Sequence, residues 1–443
     1  MTQPIADRPL AVNANLQHKE RIVKVRILHV LSGFDIEFPG GITNYVRTLA
    51  SEQSSAGEQV YVLDGSARRQ WELSTSGYMV RGSKHSDGKH HVASTRKRPR
   101  ASKALISLIL EGGFDLIHFH LTLGFGTDFY DQVPGVGVPY FISLHDYHLI
   151  CPRITLIDYA GKNCGGPERR KCELCIGRLE EVDLLYRASR KTGWQLPRIA
   201  SSRVTQRNEV IEVFLREAAM VLAVSTRVRD ICRRAYPDAN YVVNHIGTAS
   251  ARSVRPSRDY SEGRLNLTFI GTLSKLKGAE LLESIARGVH REDVSIQFFG
   301  RIERPELGER LAAAGVHLRG TYTPDDLPSI MEGTDIGLAL PIWEDNAPQV
   351  VMEFLNFGVP VIATSMGGIP DFVNERNGFL FDPEHVDGVS EAIEFINDLN
   401  ADKINLLRSG IESLRSPQEH LTELNALYVS ALTAKRSVPV VDG

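Results

Sequence analysis

The chain has 443 residues, of which 24% are charged, and its formal net charge is −3. This length exceeds one ordinary hydrophobic core and predicts about two to three domains of a globular protein. The near balance of charge argues against a general nucleic-acid-binding protein, so we expect no nucleic acid as a partner.

Neither a membrane span nor a signal peptide is evident. No apolar run approaches the ~20 residues that span a membrane. The polar segment 1–20 lacks the apolar core of a signal peptide. We therefore expect a disordered tail over residues 1–22 and a cytoplasmic protein, and we keep contact with the inner face of the plasma membrane as a hypothesis.

Short apolar strands alternate with helices in the first half of the chain, which we assign to one domain over residues 23–246. Strands are predicted at 25–30, 61–63, 116–119 and 140–144, and a helix at 42–51. This alternation is typical of a doubly wound parallel sheet, with ligands outside the carboxyl ends of its strands.

The loop after the first strand contains Gly33, Gly40 and Gly41. Its spacing is not G-x-G-x-x-G, which weakens an interpretation as a nicotinamide-cofactor site. Taken alone, the Gly40-Gly41 pair predicts a turn between the strand and the helix.

Histidines stand at the carboxyl ends of two later strands. Residues 117–120 read IHFH, and His145-Asp146 follows the next strand. A histidine in such a place can reach the crevice, where it can orient hydroxyl groups or move protons. We expect His145 and Asp146 to face an acceptor and His118 to point into the packing. A structural role is the alternative for each histidine.

Residues 81–103 carry eight Lys or Arg, three His and one Asp. A solvated loop is the usual explanation for such a run. The alternative is attraction of an anionic acceptor, such as a lipid diphosphate, or of the inner membrane surface. The amphipathic segment 204–215 is a candidate to help with that contact.

Four of the five cysteines fall between residues 151 and 175, namely Cys151, Cys164, Cys172 and Cys175. Cys172-x2-Cys175 has the spacing of a metal-binding knuckle, and four thiolates suit tetrahedral zinc. We interpret the cluster as a structural zinc site that staples an insertion at about 147–178. An iron–sulfur cluster, free structural thiols and redox chemistry are the alternatives.

A second alternating series begins after a change of domain near residues 244–247, followed by a linker that runs to residue 264. We assign residues 247–417 to the second domain. Its first strands are predicted at 265–270, 294–299 and 316–320. Lys277 stands at a helix start, where a lysine can neutralise phosphate. A closing helix is predicted at 418–430, within the last segment 418–443.

The most informative stretch predicts a buried strand at 336–340, a helix, and a second buried strand at 359–364. Asn346 is the predicted N-cap of the helix, whose free N–H groups suit an anion. Asp345 and Glu353 lie beside it, and a carboxylate can accept hydrogen bonds from vicinal sugar hydroxyls. Phosphate plus sugar indicates a nucleotide sugar. Two solvated acids on an ordinary βαβ unit are the alternative.

This stretch resembles the donor site of the retaining GT-B glycosyltransferases of family 4 (glycosyl transferases group 1). The family pattern is two glutamates separated by seven residues, an apolar strand, and a Gly-Gly-Ile-Pro-Glu turn. Here Asp345 and Glu353 match the two acids, and residues 367–371 read GGIPD. The aspartate keeps the charge of the usual glutamate on a shorter side chain.

The resemblance covers about residues 24–434 and implies two Rossmann-like domains that face each other across a cleft. It implies that Glu353 binds the ribose, that Asp345 contacts the transferred sugar and that Lys277 binds the diphosphate. Thr272 replaces the usual arginine of the donor motif, so one positive charge is missing there. Another group must help to neutralise the diphosphate.

The resemblance also assigns roles around these residues. Gly40 and Gly41 would approach the donor phosphates and the acceptor, and His120 matches the active-site histidine. The helix N-terminus near Asn346 and Ala347 would stabilise charge on the leaving diphosphate. With Asp345 and Lys277, His120 completes the predicted catalytic set, and catalysis is expected to need no cofactor or divalent metal.

The predicted enzyme therefore moves a hexose, with retention of configuration, from a UDP- or GDP-sugar to a glycan or lipid-linked acceptor. Bacterial surface or exopolysaccharide assembly is the expected setting. One alternative is a GT-B nucleotide-sugar epimerase, which needs no acceptor site. Another is a noncatalytic nucleotide-sugar-binding protein, because Asp345 and Thr272 both depart from the family pattern.

Overall fold

The computed structural model describes residues 24–34, 40–85, 95–179, 182–248 and 264–436. Within these ranges the chain forms two β-sheets with helices packed on them. The predicted tail over residues 1–22 and most of the predicted linker, residues 249–263, lie outside the described ranges.

The first sheet contains eight strands of the described chain. They are β1 (Arg26–Leu31), β2 (Gln59–Asp64), β3 (Ser66–Thr75), β4 (Tyr78–Lys84), β5 (Leu116–Leu121), β6 (Tyr140–Leu144), β7 (Met220–Ala223) and β8 (Tyr241–Val243). Their order is β3-β4-β2-β1-β5-β6-β7-β8, and only β3 runs antiparallel to its neighbour. The accompanying helices are α1 (Gly41–Ser55), α2 (Pro99–Gly112), α3 (Thr127–Gln132), α4 (Arg169–Ile176), α5 (Asp183–Thr192), α6 (Ser202–Arg216) and α7 (Thr226–Ala235).

The central strands β1, β5 and β6 are buried along nearly their whole length because helices cover both of their faces. On one face, Ile109 of α2, Phe129 of α3 and Phe214 of α6 belong to the same core as β5 and β6. On the other face, Leu49 of α1 packs near Leu116 of β5.

The second sheet consists of β9 (Leu265–Leu273), β10 (Val294–Ile302), β11 (His317–Leu318), β12 (Ile336–Ala339), β13 (Val361–Thr364) and β14 (Gly378–Phe381). The remaining helices are α8 (Ala279–Gly288), α9 (Pro305–Ala313), α10 (Leu327–Glu332), α11 (Gln349–Asn356), α12 (Gly388–Asn397), α13 (Ala401–Ser409) and α14 (Pro417–Arg436). The order β11-β10-β9-β12-β13-β14 is that of a doubly wound sheet, whose ligand site lies where the order reverses, at β9 and β12. The predicted fold class is confirmed.

The last helix, α14, returns to the first sheet. Its Leu424 and Tyr428 are buried in one cluster with Ile27 of β1, Leu49 of α1 and Phe141 of β6. Burying a large apolar side chain contributes about 1.5–3 kcal/mol, so this contact ties the end of the chain firmly to the first domain.

The structure corrects the predicted loop at 81–103. Residues up to Lys84 belong to β4, and residues from Pro99 onward begin α2. Tyr78 and Val80 are buried alternately with more exposed neighbours, so this two-residue period outweighs the basic residues that follow. Residues 86–94 lie outside the described ranges.

The segment 204–215 forms part of α6, but its apolar face is not available to a membrane. Ile211, Phe214 and Leu215 are buried in the core of the first domain. Arg207 of the same helix is 1% exposed and donates to the carbonyl oxygens of Leu149 and His148. Membrane contact through this helix is therefore a wrong prediction. Among the described helices, none is long and apolar enough to cross a membrane.

Candidate active site

A cavity of about 380 Å³ lies between the carboxyl ends of the two sheets. The predicted site residues in its wall are Gly41, His145, Thr272, Lys277, Asp345, Asn346, Ala347 and Glu353. Three further predicted residues, Gly40, His120 and Asp146, are not part of the wall. The fold therefore brings most of the predicted site together from both domains.

Lys277 and Asp345 form an ion pair in the wall of the second domain. Lys277 Nζ donates to Asp345 Oδ2 at 2.5 Å, which leaves Oδ1 without a hydrogen-bond partner among the described residues. The two side chains come from the loops that follow the paired strands β9 and β12. Gly278 has a φ of +86°, and a Cβ there would lie 1.8 Å from the carbonyl oxygen of Leu340. Only glycine permits this close approach of the two loops.

The Gly-Gly turn after β13 holds the loop that carries Asp345. Gly367 has a φ of +57°, and a Cβ on it would lie 1.9 Å from the Asp345 carbonyl oxygen. Gly368 donates its N–H to that same oxygen at 2.7 Å. Neighbouring Glu344 accepts from the N–H of Gly367 at 3.1 Å and from the guanidinium of Arg227 on α7. The Gly-Gly motif thus has a structural reason in this chain.

Glu353 lies on α11 and faces the cavity. Burial raises the pKa of its carboxyl group. No described residue hydrogen-bonds to this carboxyl group, although Tyr322 is close enough for the charge of Glu353 to add to the burial that raises the Tyr322 pKa to about 12. A desolvated acid without partners gains from any hydroxyl donor that a ligand supplies.

The helix α11 begins two residues later than predicted, with Pro348 rather than Asn346 at its N-cap. A residue that precedes proline avoids the helical conformation, so Ala347 cannot lie in the first turn. The first helical residues, Gln349 and Val350, line the cavity, and their N–H groups have no carbonyl acceptor one turn earlier in the helix. Asn346 is buried, and its Oδ1 has no partner in the described structure.

The wall of the first domain rests on a chain of three histidines, of which His29 and His120 are buried and His145 is partly exposed. His29 Nδ1 and His120 Nε2 lie 2.9 Å apart, and His120 Nδ1 and His145 Nε2 lie 3.2 Å apart. At the far end, Gln53 Oε1 lies 2.7 Å from His29 Nε2. The structure corrects the placement of His120: because β5 extends to Leu121, His120 stays within the sheet, 2% exposed, and His145 is the histidine that lines the cavity.

With the Gln53 carbonyl oxygen placed against His29, the contacts of the chain define one set of proton positions. The Gln53 carbonyl oxygen can only accept, so His29 donates from Nε2 and accepts at Nδ1. His120 then donates from Nε2, and His145 does the same, which leaves Nδ1 of His145 as an acceptor without a partner among the described residues. Burial lowers the pKa of His29 and of His145 to about 4, and lowers that of His120 as well. The chain is therefore uncharged near neutral pH.

Two further hydrogen bonds connect α14 to this wall. His118 lies in the packing, as expected, with Nδ1 2.6 Å from the hydroxyl of Tyr428 and Nε2 2.8 Å from Ser143 Oγ. The hydroxyl of Tyr45, a cavity residue, lies 2.8 Å from His420 Nε2. Sequence reasoning missed Tyr45 and His420, because 375 positions separate them and no local spacing marks the pair.

The two domains also meet at Asp371, the acid of the GGIPD turn. Its Oδ2 accepts from the N–H of Thr226 at 2.7 Å and from His245 Nε2 at 2.8 Å. Burial alone would raise the Asp371 pKa, but these contacts lower it overall. The hydrogen bond from Thr226 to Asp371 and the Arg227–Glu344 ion pair hold the second domain against α7.

Asp146 turns away from the cavity. Its Oδ1 accepts from His148 Nδ1 at 2.5 Å and from the His148 N–H at 2.8 Å. Burial alone would raise the Asp146 pKa, but the charge and hydrogen bonds of His148 lower it overall. Asp146 thus holds the turn after β6. It is not part of the cavity wall, contrary to the prediction that it faces an acceptor.

Two known protein families match this chain. The family described as "Glycosyl transferases group 1" matches residues 264–398, and the "Glycosyl transferase 4-like domain" matches residues 40–247. The chain belongs to the group 1 glycosyltransferases. The Lys277, Asp345 and Glu353 side of the cavity falls in the first match, and His120 and His145 fall in the second.

Two curated relatives differ in how much of their length this chain matches. The chain is 26% identical to spore coat protein SA of Bacillus subtilis, over 36% of this chain and 45% of that protein. It is 24% identical to a phosphatidyl-myo-inositol mannosyltransferase of Mycolicibacterium smegmatis, over 87% of each. The chain thus matches less than half of the first relative and most of the second.

Solved structures show the same two-domain fold. Sucrose-phosphate synthase from Thermosynechococcus elongatus superposes with a TM-score of 0.61 at 15% identity, over 93% of this chain and 100% of that chain. Anabaena HepE in complex with UDP superposes with a TM-score of 0.59 at 14% identity, over 92% and 100%. Both matches extend across both domains, so the arrangement is that of a GT-B glycosyltransferase.

Proposed function

We propose that this group 1 glycosyltransferase transfers a hexose from a nucleotide-diphosphate sugar to a glycan or lipid-linked acceptor, with retention of configuration. The observation that carries the proposal is the partnerless carboxyl group of Glu353 beside the free N–H groups of α11. The acid fits the vicinal hydroxyls of a ribose, and the N–H groups fit phosphate. Together they fit a nucleoside diphosphate.

The diphosphate needs more positive charge than Lys277 alone supplies, because Asp345 already neutralises that lysine. We infer that Arg301 of β10 takes the place of the missing arginine. Arg301 is the register partner of Thr272 in the parallel pair β9–β10, so the two side chains leave the sheet on the same face. Arg301 is exposed and makes no ion pair with the described residues.

The transferred sugar would lie between Asp345 and His145. Asp345 Oδ1 and His145 Nδ1 are both free acceptors in the cavity wall, one charged and one neutral, and hydroxyl groups can donate to both. Lys277 and the N–H groups of α11 would stabilise the charge that develops on the leaving diphosphate.

Bacterial surface or exopolysaccharide assembly, next to a membrane, is the setting that we propose. It is supported by the lipid named in the mannosyltransferase relative and by the basic residues 95–103 at the start of α2. Sedimentation with anionic vesicles at low salt tests the membrane contact, and a protein that stays in the supernatant contradicts it.

The donor site is tested with a thermal-shift panel of UDP-, GDP- and ADP-sugars on the wild type, Glu353→Gln and Glu375→Gln. Glu353→Gln keeps the shape of the side chain but removes the charge, whereas Glu375 is an exposed acid of the same domain. We expect one donor to stabilise the wild type and the control alike, and to bind Glu353→Gln about 10- to 100-fold more weakly.

Turnover separates the possible activities. Release of the nucleoside diphosphate with an α-linked product from an α-linked donor supports the proposal. Interconversion of nucleotide sugars without an acceptor would indicate the epimerase instead. Donor binding without any turnover would indicate a noncatalytic binding protein.

A further inference from the structure

Four cysteines surround a second cavity, away from the active site. Cys151, Cys164, Cys172 and Cys175 all line a space of about 20 Å³, and all four are free thiols in the structure. A space of this size holds about one water-sized species. The fifth cysteine, Cys232, lies apart and is buried on α7. Cysteines that are up to 24 positions apart in the sequence therefore line the same small cavity.

The segment that carries them has little regular structure of its own. Between β6 and α4, the described chain forms one isolated bridge, between Ile157 and Asn163. Ile154 and Leu156 have φ values of 74° and 58°, in the left-handed region that branched and bulky residues avoid. Such a backbone persists only where its surroundings hold it.

Hydrogen-bond donors point at the sulfur atoms. Arg153 Nε lies 3.2 Å from Cys175 Sγ, and the N–H of Glu168 lies 3.3 Å from Cys172 Sγ. Arg153 also donates to the Cys175 carbonyl oxygen at 2.7 Å. A guanidinium and a peptide N–H can each donate to a sulfur atom. Burial nevertheless raises the pKa of the Cys151 thiol to about 12 and also raises the pKa of the Cys172 thiol, so a bound cation is needed to hold these sulfur atoms as thiolates.

We propose that Cys151, Cys164, Cys172 and Cys175 bind one structural zinc ion. Four thiolates are a preferred tetrahedral ligand set for zinc, and the size of the cavity fits one ion rather than an iron–sulfur cluster. No three of the sulfur atoms lie within 4.8 Å of one another in the described structure, so binding draws them inward. We expect this closure to come from rotation of the cysteines about χ1, which moves each sulfur by about 3 Å.

The zinc would fix a loop that reaches the other domain. Asn163, next to Cys164, donates from Nδ2 to the Ile342 carbonyl oxygen at 3.0 Å and to Glu384 Oε1 at 2.6 Å. Ile342 belongs to the loop that carries Asp345. The site therefore stabilises the insertion and, through Asn163, supports one edge of the active-site cavity.

The test measures metal in the full chain, purified without chelators and under reducing conditions. Elemental analysis is carried out on the wild type, on a Cys172→Ser/Cys175→Ser double variant, and on Cys232→Ala as the matched control. We expect about one zinc per chain in the wild type and the control, and less than about one fifth of that in the double variant. Circular dichroism and size exclusion show whether the double variant is folded.

The wild type alone can overturn the proposal. A folded wild type without stoichiometric metal, even after incubation with Zn²⁺, contradicts it. Iron in place of zinc, with visible absorption from a sulfide cluster, contradicts it as well. Intact mass that shows two disulfides in the freshly isolated protein would assign the cysteines to bridges. Loss of zinc from Cys232→Ala to the same degree as from the double variant would place the metal elsewhere.

Discussion

The two walls of the active-site cavity are built on opposite electrostatic principles. The wall of the second domain is ionic: Lys277 is paired with Asp345, and Glu353 stands unpaired nearby. The wall of the first domain is neutral, because burial keeps the chain from His29 to His145 unprotonated. Charge suits a diphosphate, and a neutral acceptor suits hydroxyl groups, so in the proposed function the ionic wall would bind the leaving group and the neutral wall would bind the sugar.

The walls also differ in how the chain assembles them. Asp345 and Glu353 belong to a single loop and helix, and Lys277 comes from the loop after the adjacent strand β9. The histidine chain instead joins β1, β5 and the end of β6, with Gln53 on α1. The ionic wall therefore depends on local geometry, and the neutral wall depends on the packing of the whole first domain.

The sharpest test of the ionic wall is Lys277→Met. It removes the ammonium group while keeping most of the side chain's length, so it should lower kcat by about 100- to 1000-fold, the usual effect of losing one preorganised charge donor. It also leaves Asp345 as an unpaired negative charge beside the site proposed for the diphosphate, so donor affinity should fall as well. Steady-state kinetics with the donor that the thermal-shift panel identifies provide the measurement. Lys275→Met, at an exposed lysine two residues away, is the control, and equal losses in both variants would contradict the role of Lys277.

The neutral wall predicts a pH effect on stability. The folded-state pKa of His29, His145 and His420 is about 4, below the value of about 6.5 in an unfolded chain. Between pH 6.5 and 4 the unfolded chain binds more protons, so stability is complete above pH 6.5 and falls as the pH decreases. We expect the melting temperature to drop from pH 7 to pH 5, above the range where most carboxylates titrate.

A matched pair of variants isolates this contribution. Between pH 6 and 5, the free energy of unfolding of His29→Gln should fall by about 1 kcal/mol per pH unit less than that of the wild type. His317→Gln, at an exposed histidine of β11, should show the same pH dependence as the wild type. Denaturant unfolding at each pH gives these values. A stability that is flat from pH 7 to 5 in the wild type would show that the histidine chain does not remain neutral.

The difference between the walls explains what could be predicted from sequence. The ionic wall follows from a short spacing, and the structure places Lys277, Asp345 and Glu353 together as expected. The strand at 140–144 is observed at those bounds, because four of its five buried residues are apolar, as expected of a strand that is covered on both faces. The alternation of elements likewise leads to the doubly wound sheets.

The neutral wall could not be predicted in the same way. A histidine in a strand can face either side, and the end of β5, two residues beyond the prediction, decided that His120 stays inside. Gln53, Tyr45 and His420 have no local signature, since their partners lie on other elements. Their roles depend on long-range contacts that only the folded chain reveals.

A variant of Arg301 tests whether this arginine supplies the positive charge that is missing at Thr272. Arg301→Ala should raise the donor KM by about tenfold with little change in kcat, because an exposed charge contributes mainly to ground-state binding. Arg304→Ala is the control, because Arg304 is an exposed arginine three residues further along the chain, just before α9. Donor kinetics at two salt concentrations make the measurement, and equal values for the two variants would mean that Arg301 does not face the diphosphate.

Asn163 tests whether the insertion supports the ionic wall from the first domain, and we expect the smallest effect here. Its Nδ2 bonds to Ile342 and Glu384 should contribute about 0.5–1.5 kcal/mol each when neutral or part-exposed, so Asn163→Ala should raise the donor KM by about two- to tenfold. Lys162→Ala, at the exposed neighbour, should change nothing. The zinc content of Asn163→Ala should stay that of the wild type, because the asparagine holds the tip of the loop and not the metal.

Loss of the metal frees the entire loop, so the cysteine double variant should raise the donor KM at least as much as Asn163→Ala does. A double variant with full donor affinity would separate the insertion from the active site.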